Sequence, residues 1–481
     1  MLTEKEVAQR LALAESKHGL FAFQRDGIAL WRLLRAPIGH AMMGLDLAPQ
    51  GRLGRAALLW RGVRSLFGAL RVLLGGRCLY IVKTYSSALR TQRNGRYVDI
   101  YFDSLLERIN GGAKWSFCNS TTFAPRERQA DVPINLDVTF IQIASTLIAR
   151  VCRLRDRDGQ FASLATAVNK AFGEGTLSAA HVQSVYSKFR WQVWFYSLIL
   201  RRQRPTAVFV ADTGDYALMH AAQRIGIRFV ELQHGIFSAD HPDALPAAAL
   251  DQTDADILLP DVLAAYGSYW RDYLAGSALA RLQRVVPCGC AVVEEYRAIR
   301  SAWAAARPES QPLQILLTTQ GIAVDALVDF MLQFVALETR PFVLNVKLHP
   351  FYDRDEAYRE LAIDSRVRIL GATDDTPTHL LMARADVHLS ISSACHYDAL
   401  AMGVRTIVLA LPGHELMLPI IASGDTWLAT SPAALSQGLA RLTEEGVSLS
   451  VAESFCRAGF VDNLGKAAGI LPKPDQSTVR N

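Results

Sequence analysis

From residue 314 to 430 the chain alternates between short apolar runs and segments of helical length, and this rhythm restricts the fold more than any other feature. The runs are QILLTTQ (314–320), FVLNVKLHP (342–350), VRIL (367–370), VHLSISS (387–393), RTIVLAL (405–411) and TWLAT (426–430). Between them lie VDALVDFMLQFVALE, DEAYRELAI, TPTHLLMARA, CHYDALAMG and GHELMLPIIASG, with apolar residues at helical spacing. Strands that lack in–out alternation and are separated by helices belong to a parallel sheet covered on both faces. Residues 286–470 are therefore expected to form a doubly wound, Rossmann-like α/β domain, with 471–481 as a frayed tail.

The preceding region repeats the theme less cleanly. RCLYIV (77–82), KWSFC (114–118), TAVFVAD (206–212), RFVELQHG (228–235) and DILLP (256–260) read as strands, and YALMHAAQRIG (216–226) as a helix between two of them. A helical insertion spans about 135–203. Residues 77–285 thus form a second Rossmann-like domain, preceded by a helical, partly basic segment at 1–76 and followed by a junction containing RPESQP.

At 481 residues, with 50% apolar and 20% charged side chains, the composition is that of a soluble globular protein. Seven cysteines show neither paired spacing nor a repeated Cys-x-x-Cys, which points to a reduced, cytoplasmic chain, and the first residues lack the apolar stretch of a secretion signal. WQVWFYSLIL (191–200) is too short for the roughly 20 residues of a membrane span and reads as a core helix. The net charge of +5 is uneven: residues 47–98 hold ten Lys or Arg and no Asp or Glu. Within them Arg52, Arg55, Arg61, Arg64 and Arg71 are interleaved with Leu, Val, Trp60 and Phe67. Such a segment either lies in the headgroup layer of an anionic inner leaflet or is a solvated helix face packed on the core. Nucleic-acid binding is not expected, since no binding motif accompanies the charge.

Doubly wound sheets bind ligands outside the carboxyl ends of their strands. Thr318, Thr319, Gln320 and Gly321 end one run and open a helix near Ile322; they suit an anion, or equally a helix cap. Lys347 and His349 fall on one side of the next strand, and Pro350 stops it, so both sit at its mouth. Ser392 and Ser393 mark a strand-to-helix turn. Asp398, one turn on, suits ribose hydroxyls or the helix dipole, and His396 is read as a surface residue. In the other half Asp212 and Asp215 follow one strand and Gln233, His234 and Gly235 the next, which are the parts for general-base work on a hydroxyl. No Walker loop, nucleophile elbow, Gly-x-Gly-x-x-Gly or metal-ligand spacing is present.

The set QHG (233–235), KLHP (347–350) and SISSACHYDALAMG (390–403), in that order on two Rossmann-like halves, resembles the GT-B glycosyltransferases of bacterial capsule and lipopolysaccharide assembly. The group with Kdo transferases, polysialyltransferases and CDP-glycerol glycerophosphotransferases is the most similar, over about residues 205–411. The resemblance implies two domains facing across a cleft and a nucleotide-sugar donor, CMP-linked Kdo or sialic acid in type. It implies a glycan or lipid-linked acceptor and no metal or cofactor. His349, Ser392 and Ser393 would hold the donor phosphate, and Lys347 would help neutralise it as it leaves. Asp212 or Asp215 would serve as base, with His234 positioning the acceptor; where the polysialyltransferases carry an acidic-acidic-glycine motif, this chain has ADTGDY. Transfer of an alditol phosphate, or an epimerase or silent binding protein of the same fold, are the alternatives.

Overall fold

The computed structural model describes the chain except for residues 1, 45–53, 75, 119–122, 153, 212–213, 309, 351, 372–373, 375, 445–446 and 473–481, and the side chains of 55, 58, 71, 73, 74 and 442–444. It divides into two compact units. The first comprises Met1–Ala265, Trp270–Cys288 and Val461–Asn481, and the second Tyr266–Tyr269 and Gly289–Phe460.

The first unit is built on β1 (Tyr80–Tyr85), β2 (Gly112–Phe117), β3 (Leu136–Asp137), β4 (Ala207–Val210), β5 (Arg228–Leu232), β6 (Val262–Ala265) and β7 (Val285–Pro287). All pair in parallel, in the order β7-β6-β5-β4-β1-β2-β3. The run at 256–260 is not a strand. Leu258 is in the left-handed region (φ 53°) and Pro260 follows, so the chain becomes extended only from Val262. The insertion is three helices, Thr139–Val151, Gln160–Phe172 and Ala179–Gln203. The helices of the first 76 residues, Glu4–His18, Arg32–Met42 and Arg55–Leu74, belong to this unit. Buried Glu15 fastens the first to the second by accepting from Trp31 Nε1 at 2.9 Å and Arg35 Nε at 2.6 Å.

The second unit holds β8 (Leu313–Thr318), β9 (Phe342–Lys347), β10 (Val367–Leu370), β11 (Val387–Ser390), β12 (Arg405–Leu409) and β13 (Trp427–Ala429). All six expected strands are present, and three of them end on a polar residue: Thr318, Lys347 and Ser390. They pair in parallel in the order β10-β9-β8-β11-β12-β13. Ile315, Leu317, Leu344, Val346, Leu389 and Ile407 lie in its buried core. Both sheets share one winding: the first strand of each lies beside the fourth, where the chain reverses direction across the sheet. Loops at that junction leave in opposite directions and open a crevice at the carboxyl edge. The expected class, α/β with two Rossmann-like units, is what the chain adopts.

Lys114, 1% exposed on β2, is surrounded by Asp103 at 2.5 Å and Asp99 at 3.4 Å. Removing one partner of a buried ionic cluster strands the remaining charge. Lys114→Met, which leaves Asp99 and Asp103 buried without their cation, is therefore expected to cost about 3 kcal/mol of stability in urea unfolding; an unchanged midpoint would show that the cluster carries no weight.

Candidate ligand sites at the strand ends

In the second unit the crevice lies between β8 and β11, and its two loops are stitched together. Ser390 Oγ donates to the Thr318 carbonyl at 2.8 Å, and Ser392 Oγ to Gln320 Oε1 at 3.4 Å. After Thr319 the backbone turns sharply. Gly321 has φ 66°, and a Cβ there would stand 2.5 Å from the Tyr352 carbonyl oxygen, so only glycine fits. Ala323 holds φ 47°, a region uncommon for alanine, and the helix Val324–Leu337 starts directly after it, two residues beyond Ile322. No side chain caps this helix, so its first amides lack an acceptor of that kind.

The hydroxyls and amides of the first loop are largely engaged by one carboxylate. Asp353, 8% exposed, accepts from Thr319 Oγ1 at 2.8 Å, Gly321 N at 3.0 Å, His349 N at 2.9 Å and the Tyr358 hydroxyl. It ties the loop after β8 to the loop after β9. Sequence reading passed over this residue; an acid four positions after His349, inside a turn, was the available signal.

Lys347 ends β9, and its Nζ donates to the Asp374 carbonyl at 2.5 Å and lies 3.3 Å from the Asp374 carboxylate. The ammonium is thus held by the loop after β10. His349 lies two residues beyond the strand, half-buried, with its ring stacked on Tyr352 at 4.4 Å. Ser393 Oγ accepts from Cys395 N at 3.2 Å, in the turn that leads into the helix Cys395–Met402. Asp398 pairs with His379 Nε2 at 3.2 Å.

His396 is not a surface residue. Its helix is buried around most of its circumference, and His396 is fully buried on the sheet. Its Nδ1 lies 2.5 Å from Thr406 Oγ1, which is also 2.9 Å from His388 Nδ1; His388 Nε2 in turn lies 2.9 Å from Thr318 Oγ1. A hydroxyl, with one proton and two lone pairs, serves both rings. This buried chain runs from the last residue of β8 beneath β11 to β12, and it directs the Thr318 hydroxyl inward. Burial holds both imidazoles neutral, His388 well below its ordinary value and His396 down to about 3.

In the first unit Asp212 lies outside the described residues. Asp215 precedes the helix Tyr216–Gln223, but its carboxylate does not cap it; it pairs with Lys83 Nζ, and both side chains are buried. Lys83, a cation in the middle of an apolar strand, was a signal the reading did not use. Gln233 is buried and donates to the Gly235 carbonyl at 2.8 Å, whereas His234 is exposed. Gln233, His234 and Gly235 line a small pocket with Glu231, Phe237 and His241. His241 sits beside Asp243, with Nδ1 3.6 Å from Oδ2, and His40 Nε2 lies 3.7 Å from the same oxygen. Sequence reading missed this HPD triplet (241–243), a second His-Pro pair. Tyr216 donates to Asp243 Oδ1 at 3.2 Å, and Arg32 and Arg35 brace the turn by donating to the carbonyls of Asp243, Pro242 and Ala244. Burial pushes His241 down to about 4 and lowers His40. His40, His241 and Asp243 offer ligand atoms within 4.8 Å of one another, but the braced guanidiniums beside them work against a divalent cation.

No protein-family model matches the chain, and no curated protein matches it. Among solved structures, it is similar to the UDP-GlcNAc 2-epimerase of Neisseria meningitidis bound to UDP-GlcNAc (14% identity, 82% of this chain and 98% of that one, TM-score 0.42). It is also similar to Acinetobacter baumannii MurG (12%, 82% and 99%, 0.46) and to a glycosyltransferase from Rickettsia africae (11%, 82% and 94%, 0.41).

Two expectations follow. Because the folded pKa of His396 lies below the unfolded value, the unfolded chain binds the extra proton, and stability falls as pH drops from about 6.5 towards 3. The slope is about 1.4 kcal/mol per pH unit for each such imidazole. Urea midpoints between pH 7 and 4 should show it, and His396→Gln should flatten it; equal slopes would remove the buried neutral imidazole. Asp353→Ala, which orphans its donors, should cost about 3 kcal/mol, against about 1 for Tyr358→Phe, which removes one. Equal losses in urea unfolding would contradict the shared role of the carboxylate.

Proposed function

We propose that the protein is a glycosyltransferase of the GT-B type. The second unit would hold the nucleotide of an activated sugar, and the first would receive the acceptor hydroxyl of a glycan or lipid-linked glycan. The observation that carries this reading is the crevice between β8 and β11. There the helix at Val324–Leu337 presents a terminus without a side-chain cap, after Gln320 and its partner Ser392, and the backbone of His349 is joined to the same turn through Asp353. A helix N-terminus carries about half a positive charge and aims its amides at an anion. With Lys347 turned to Asp374, the complement to phosphate comes from this terminus and from His349, while Lys347 acts by fixing the neighbouring loop. Ser393 and Asp398 shape the second wall through the Cys395 amide and the His379 contact, and Thr318 and Thr319 act from beneath.

In the reaction the bond between the anomeric carbon and the phosphate oxygen breaks, and the phosphate leaves with the electron pair. The acceptor oxygen forms the new bond and gives its proton to a base. Of the groups in the first unit, His234 suits that base: it is exposed at the rim of its pocket. The carboxylate of Asp215 is buried and paired with Lys83, so it is the less accessible group. Asp215 therefore acts here by holding Lys83 of β1.

A thermal-shift series with CMP, CDP, UDP and GDP identifies the nucleotide, since a ligand that binds only the folded chain raises its apparent stability. His349→Ala and Ser392→Ala should each reduce that shift. His234→Ala should leave it intact while lowering transfer by about 10²–10⁴-fold. Phosphorus in the product would assign alditol-phosphate transfer, nucleotide binding without transfer would assign a silent or epimerising protein, and no shift with any nucleotide would end the reading.

A further inference from the structure

The helix Arg55–Leu74 packs inside out. Its inner face is made of small residues: Gly62, Ser65 and Ala69 are buried. A Cβ on Gly62 would stand 2.5 Å from Ile143 Cδ1, and Ser65 Oγ accepts from Phe140 N at 2.8 Å. The seam thus draws the helix tightly onto the helix Thr139–Val151, leaving the bulky side chains outside. Trp60 and Phe67 are each 66% exposed, and Leu59, Val63, Leu66 and Leu70 complete the outward stripe. Adjoining helices continue it: Val151 is 83% exposed beside Leu147, and Trp194 is 53% exposed beside Leu198 on Ala179–Gln203.

The charge on these helices is one-sided. Together they hold nine Lys or Arg and no Asp or Glu. Arg61 turns inward to Glu127 and Asp137, and Arg190 faces Asp26, but Arg64, Arg150 and Arg201 stand in solvent. An outward apolar stripe with two tryptophans and a phenylalanine, set among cations and free of acids, is what an anionic bilayer surface binds. Two copies of the chain meeting through this face would bring cations against cations with no acid to pair them.

We infer that the helix Arg55–Leu74, with the exposed ends of its two neighbours, is a docking face for an anionic lipid bilayer. The bulky stripe enters the headgroup–acyl boundary and the arginines rest on lipid phosphates. This departs from a simple amphipathic reading of the basic segment: of the five arginines expected at the lipid, Arg64 is there, Arg61 is not, and Arg52 and the side chains of Arg55 and Arg71 lie outside what the structure describes. The inference stands apart from sugar transfer.

The test is co-sedimentation of the full chain with vesicles of phosphatidylcholine alone or mixed with an equal part of phosphatidylglycerol. At about 0.1 M salt the chain should bind the mixed vesicles at least about tenfold more tightly than the neutral ones, and raised salt should weaken it. The double variant Trp60→Ser, Phe67→Ser should reduce binding about tenfold or more, and Arg64→Glu severalfold, each with an unchanged circular dichroism spectrum and nucleotide thermal shift. Absence of binding by the unaltered chain, or equal binding by both variants, overturns the proposal. So does a dimer in light scattering that the double variant dissolves without any vesicle binding, which would give the face to a second copy.

Discussion

A parallel strand can reach its neighbour only by a crossover, and crossovers have one hand. Every carboxyl end in such a sheet therefore arrives at one edge, and every following helix starts there with its amides outward. Where the order of strands reverses, beside the first strand, the loops part and nothing in the sheet fills the opening. Both units obey this rule. The crevice at β8 and β11 and the pair between Lys83 of β1 and Asp215 of the segment after β4 lie beside the first and fourth strands of their sheets.

What distinguishes the two edges is how their polar groups are used. In the second unit most hydroxyls of the strand ends are directed inward, Thr318 to His388 and Thr319 to Asp353, so that only a few groups remain for a ligand. Such burial is tolerable because each donor meets an acceptor in a low-dielectric setting, where an unmet one would be costly. In the first unit the arginines do the bracing, by donating to successive carbonyls around His241 and Asp243. The side chains left at the surface are thereby held on rigid support, as a reacting group must be.

Much of the architecture could be read from periodicity. VRIL is a strand over those four residues and no others, and the strands flanking it in sequence end on Lys347 and Ser390, whose side chains find partners outside their own strand. The strand at Val262–Ala265 escaped notice because its small residues are less conspicuous than the DILLP run before it, whose extension is broken by Leu258 and Pro260. The sites were legible in place but not in detail. That polar residues gather at strand ends is a sequence fact. That His396 reaches Thr406, or Thr319 reaches Asp353, depends on crossings that no local pattern records. A helix apolar on nearly every side, such as Cys395–Met402, gives no hint of which way its one imidazole points. Small residues at Gly62, Ser65 and Ala69, by contrast, did mark the inner face of their helix, and attention to the large ones concealed it.

The carboxylate of Asp353 also has a mechanical meaning. By gripping the turn after β8 and the turn after β9 at once, it makes them a single rigid part. Any push on one, from the terminus of Val324–Leu337 or from the Tyr352–His349 stack, is transmitted to the other. The floor of the crevice therefore shifts as a plate, not as two separate fingers.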